Sequence, residues 1–237
     1  MKKGWLSSWD SLSVKQFSWM LLFGESLAVS GAISSAIAAG LSPFTHFREK
    51  GFITTISWVQ LLVAAILAWL IYRFAKNSTN LHLKKSSFLW QVIVWGLVFL
   101  ALDESLSIHE QIDTLTHDWL QIEETSITDL ADDLMIALYL LFFLVYIWWQ
   151  RQIIGLFKPS FHWFWLACGL TVGTIVFDIV SNNDLFLALV FDRPAVLSIT
   201  QKWLNTIEEA LKIFAEGMFI IGIYHCWLIA KSANTEN

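Results

Sequence analysis

Apolar residues fill this chain in long blocks, and short polar stretches separate them. Six blocks reach the ~20 residues needed to cross a bilayer. They lie at roughly 17–40, 52–75, 87–110, 130–150, 161–187 and 205–230. Ser42-Pro43 follows the first, Lys76-Asn77-Ser78 the second and Lys158-Pro159-Ser160 the fourth, while Arg193-Pro194 divides the fifth from the sixth. The pattern predicts an all-α integral membrane protein. Its expected form is a bundle of six transmembrane helices in a single domain over residues 1–237. Residues 1–14 are too polar for a seventh span, and Trp5 and Trp9 suit an interface. Lys2 and Lys3, an apolar stretch and Ala36-Ile37-Ala38 share the outline of a signal peptide. The length of that run and Glu25 within it point instead to an uncleaved first helix.

Composition agrees. The chain is 56% hydrophobic and only 15% charged, against about 25% charged in soluble domains. Its net charge of -5 speaks against nucleic acid as a partner and leaves membrane lipids as the expected surroundings. Cys168 and Cys226 have neither metal-type spacing nor a disulfide framework. They read as small buried apolar residues.

Basic residues orient the bundle. With the N-terminus inside, the inner segments hold Lys2, Lys3, Lys15, Arg73, Lys76, Lys84, Lys85, Arg151, Lys158 and Lys231. The outer segments hold Arg48, Lys50, Arg193 and Lys202. The positive-inside rule then places both termini in the cytoplasm. The expected location is a bacterial inner (plasma) membrane. Of the 20 acidic residues, the 16 from Asp103 to Glu216 all fall on the outer side.

Charges inside a bilayer are costly and mark function. Asp103, Ser107, Glu110, Thr114 and His117 recur at spacings of four and three, so a continuous helix would carry them in one stripe. Glu104, His109 and Asp113 flank that stripe, and no Lys or Arg occurs between Lys85 and Arg151. His109 and Asp113, four apart, form a chelating pair, and hard oxygen with imidazole suits Zn, Mn or Fe. The fourth block opens with Asp129, Asp132 and Asp133, which also suit a helix N-terminus. Asp133 lies deepest. Asp178 ends the fifth block.

The sixth block carries Glu208, Glu209, Lys212 and Glu216. Lys212 and Glu216 at mid-bilayer would cost roughly 5–7 kcal/mol, while the nine Leu, Ile and Phe residues from Leu211 to Ile229 return about 3–5 kcal/mol. A ladder of Glu208, Lys212 and Glu216 at four-residue spacing offsets part of this. One Lys cannot serve three carboxylates, so an outward-facing pocket shared with other helices is expected. Glu25 stands alone in the first block and reads as a protonated or Ser-bonded carboxylate. The small residues Gly24, Ala28, Gly31, Ser35 and Ala38, and the pair Gly169 and Gly173, predict close helix packing.

An acid–His cluster in a membrane bundle resembles the metal-dependent membrane hydrolases of the alkaline ceramidase type. Those enzymes use a paired HxxxH, which this chain lacks, so the resemblance assigns no family. The leading expectation is a metal-dependent, membrane-embedded hydrolase of a lipid or amphiphile. A divalent metal would take Asp103, His109, Glu110, Asp133, Glu209 and Glu216 as its ligand set, with Glu110 or Glu216 as the catalytic base toward metal-bound water. The alternative is a cation- or proton-coupled transporter or channel using Glu216, Lys212 and Glu25. A third reading is a non-catalytic subunit or assembly factor of a homo-oligomer or larger membrane complex.

Overall fold

Ser13 starts the first helix. Its hydroxyl accepts the Gln16 N–H, and the Gln16 side chain accepts the Ser13 N–H in return, a reciprocal cap that satisfies two otherwise orphaned donors. Helix α1 runs Val14–Ala38 and is followed by a 3₁₀ turn at Pro43–His46. Helix α2 spans Phe52–Lys76. Asn80 caps the short α3, Leu81–Lys85, by accepting the His82 and Leu83 N–H groups. Then come α4, Ser87–Leu106, α5, Arg151–Ile154, and a 3₁₀ segment at Gly155–Ser160. Helix α6 covers Phe161–Ser181 and α7 covers Pro194–Thr235. The computed structural model describes residues 12–48, 50–108, 111, 138, 141–142, 145–146, 148–182, 187 and 194–235.

Helix α7 is the axis of the fold. It packs against α1, α2, α6 and both 3₁₀ segments, and α2 also packs against α4. From α7, Ile213, Ile220, Ile221, Ile223, Tyr224 and Trp227 fill the core. From α2, Ala64, Ala65, Ala68 and Ala75 are buried. Such small side chains let helix backbones approach closely where lipid supplies no hydrophobic drive. Phe17 stacks on Tyr224 at 4.2 Å between ring centroids, and the Tyr224 hydroxyl donates to the Leu12 carbonyl at 2.8 Å.

The outer surface is apolar. Trp19, Trp95 and Trp165 are 68%, 66% and 70% exposed, and such a surface marks contact with apolar surroundings. Among the described residues, all regular structure is helical, and five helices are long and apolar enough to cross a membrane. The expected span at 130–150 lies mostly outside the described residues.

Several expectations are corrected. The third block does not carry one unbroken helix to His117. It stops at Leu106, because Ser107 adopts a left-handed backbone with φ 48°, a conformation that ends an α-helix. The stripe running on from Asp103 is therefore interrupted at its second member. The last helix begins at Pro194, well before 205, since a proline at the first helical position gives up no needed N–H. At 42 residues it is about 63 Å long, twice the ~30 Å hydrocarbon thickness. On α1 the packed stripe is Ser18, Glu25, Val29, Ala32 and Ala36. Gly24, Gly31, Ser35 and Ala38 are exposed instead. Among the described residues, a Cβ at Gly24, Gly31 or Gly169 would meet nothing within 4 Å, and one at Gly173 only the Leu211 side chain. Burial of Glu25 turns α1 the other way.

Candidate functional site

Four helices contribute polar groups to one region of the interior. On α7, Glu209, Lys212 and Glu216 follow one another at about a turn each. On α4, Glu104 sits in the last turn. Lys212 Nζ donates to Glu104 Oε1 at 2.7 Å and lies 3.8 Å from Glu209 Oε2. The lysine thus ties the α4 carboxylate to one of its own helix. Glu104 is 13% exposed and Glu209 20%, so neither charge is left to bulk water. The closest partner of Lys212 comes from another helix, and Glu216 of the expected Glu208–Lys212–Glu216 ladder is bonded to Ser57 of α2.

The Ser57 hydroxyl on α2 donates to Glu216 Oε1 at 2.7 Å. One turn along α2, Gln60 Nε2 donates to Glu25 Oε1 at 2.7 Å. Ser57 and Gln60 are three residues apart and share one face. Both are buried, as is Glu25. The Glu25 carboxyl lies directly over Gly217, where an added Cβ would collide with both of its oxygens. Glu25 is therefore neither isolated nor held by a serine; its partner is an amide on α2. Three buried oxygens here, Glu25 Oε2, Gln60 Oε1 and Glu216 Oε2, have no hydrogen-bond partner among the described residues.

A cavity of about 560 Å³ opens beside this cluster. It is lined by Phe44, Phe47, Arg48, Asp178, Asn205, Glu208 and Glu209. Three expected acids, Asp178, Glu208 and Glu209, therefore share one wall with Arg48. Asp178 Oδ1 accepts from the Asn182 side chain at 3.0 Å. Glu209 belongs both to the cavity and to the Lys212 pair, and so connects the opening to the buried groups.

Asp103 is half-buried near the end of α4, next to Glu104. His109, Glu110, Asp113 and Asp133 lie outside the described residues, as do His117, Asp129, Asp132 and Asp184. Among the described residues, no group of three or more His, Cys, Asp or Glu is placed to hold a metal ion. Ser57, Gln60 and Gly217 were not legible as site residues. The signal for the first two was present: polar residues three apart in an otherwise apolar block.

Further along α7 the packed side chains are apolar. The Phe164 and Phe219 rings meet edge to face at 5.3 Å, with Gly222 under Phe164 and the buried Ile220 and Ile223 beside it in sequence. Beyond that layer the His162 and His225 rings lie 6.4 Å apart.

Residues 18–227 match the model of a protein family described as Domain of unknown function (DUF8692). No curated protein and no solved structure matches the chain.

Proposed function

The chain belongs to the DUF8692 family, and we propose that it is an integral membrane transporter that couples solute movement to protons through a carboxylate–lysine relay. Lys212 carries this reading. Its ammonium is shared between Glu104 at 2.7 Å and Glu209 at 3.8 Å, and Glu216 lies one turn further in. Ionisable groups so placed in a membrane interior belong to proton relays far more readily than to scaffolding. Glu208 and Glu209 take protons at the cavity wall. Lys212 balances the charge that Glu104 and Glu209 carry, and Glu216 is the next acceptor, held by Ser57.

The layer of Phe164, Phe219, Ile220 and Ile223 supports coupling rather than an open channel. A continuous polar lining would leak protons, whereas an apolar plug makes passage depend on helix movement. In this reading the cavity faces outward, to the periplasmic side of a bacterial inner membrane. His162 and His225 are the groups that receive protons beyond the plug.

The competing proposal is the metal-dependent hydrolase with Zn, Mn or Fe. Its ligands His109, Glu110 and Asp133 fall outside the described residues, while Glu209 is already engaged by Lys212. One preparation tests both. Full-length protein in proteoliposomes containing a pH-sensitive dye is given an inward proton gradient. Proton uptake that Lys212→Met abolishes is the expected result. No uptake, together with one equivalent of a transition metal that Glu110→Ala removes, would replace the relay with the metal site.

A further inference from the structure

Among the described residues Glu25 is the least exposed acid, 3% exposed, with its partner Gln60 at 6%. Two of their four side-chain terminal atoms are already joined, Gln60 Nε2 donating to Glu25 Oε1 at 2.7 Å. The other two, Glu25 Oε2 and Gln60 Oε1, are buried oxygens with no partner among the described residues. Two buried acceptors facing no donor is an unfavourable arrangement.

One proton resolves both. A carboxylic acid and a primary amide match edge to edge: the amide N–H donates to the acid carbonyl, and the acid O–H donates to the amide carbonyl. The first of these bonds is in place. Protonation of Oε2 supplies the second and leaves no orphan on either side chain. We infer that Glu25 and Gln60 form a proton-binding site, in which the neutral acid closes a two-bond ring with the amide.

Val29 and Ala32 from α1, Ile53 from α2, Phe47 from the loop after α1 and Ile213 from α7 form an apolar cluster on the same elements. On α7 the titratable neighbour is Glu216, adjacent to Gly217 and bonded to the neutral Ser57. Lys212, one turn away from Glu216, is committed to Glu104. No described cation is bonded to Glu25. Gly217 leaves the space the acid occupies, since an added Cβ there would collide with the carboxyl.

The site deepens the transport reading, on which its physiological role rests: it is where a proton is stored while the apolar layer is closed. Its existence can be tested without transport. Infrared spectra of the full chain in lipid at neutral pH are compared for the wild type, Glu25→Gln and Glu216→Gln. The wild type minus Glu25→Gln difference is expected to contain one carboxylic-acid C=O band and no carboxylate bands. Carboxylate bands in that difference would overturn the site. Glu25→Gln is also expected to keep the wild-type melting temperature, since an amide closes the same two bonds, while Gln60→Leu lowers it. Failure of Glu25→Gln to fold would count against the ring. The acid band without proton flux would sink the transport reading alone. Flux with carboxylate bands in the difference would sink the Glu25 site alone.

Discussion

Ser57 and Glu216, 159 residues apart in the chain, share a 2.7 Å hydrogen bond between α2 and α7. The bond satisfies one carboxyl oxygen of Glu216, and the other is buried without a partner among the described residues. Ser57→Ala would leave both oxygens unpaired. The expected cost is about 1–3 kcal/mol, read as a lower melting temperature of the purified protein. The Ser57→Ala, Glu216→Leu double variant should cost less than the sum of the singles, because residues in direct contact are not additive. Strict additivity would show that the bond contributes nothing.

At Gly217 the Glu25 carboxyl of α1 lies against the α7 backbone. A Cβ there would overlap the Glu25 carboxyl, and moving that side-chain end aside disturbs its bond to Gln60. Gly217→Ala should therefore lower stability by an overpacking cost of about 1–3 kcal/mol. Shortening the acid relieves the clash, so Glu25→Ala combined with Gly217→Ala should be more stable than Gly217→Ala alone. Thermal unfolding of the three variants provides the comparison. An unchanged Gly217→Ala protein would place Glu25 elsewhere.

Lys212 holds two helices by charge. Lys212→Met should destabilise by about 1–3 kcal/mol, short of the loss for a fully buried ion pair because the lysine side chain is 33% exposed. Glu104→Gln in the same background removes the unpaired charge and should restore part of that loss. The coupling between the two positions is expected at about 0.5–3 kcal/mol. A double-mutant cycle with no coupling would mean that the pair does not form in the membrane.

Much of the architecture was readable from residue pattern alone. Apolar blocks announced the long helices, and α1, α2 and α4 begin within a few residues of their expected starts. Lys212 stood out because one cation among three acids demands partners from elsewhere. What one sequence lacks is distance between helices. Nothing in it says that Glu25 meets Gln60 rather than lipid, or that Glu104, and not Glu216, takes the close bond from Lys212. The glycine and small-residue stripe on α1 misled for a related reason. Small residues permit close packing, but the burial of one carboxyl decides which face turns inward. The break at Ser107 had no glycine or proline to mark it. The early start of α7 was marked, since Pro194 is as good a first helical residue as it is a separator.

In the proposed relay, protons pass from the acidic cavity through Glu209 to Glu216, and Lys212 balances the charge. The most direct measurement is the initial rate of proton entry into sealed proteoliposomes, with wild-type and Glu216→Gln protein inserted in equal amounts. The relay predicts entry in the wild type and at least a tenfold slower rate in Glu216→Gln, with the melting temperature little changed. Equal rates in the two proteins would contradict it.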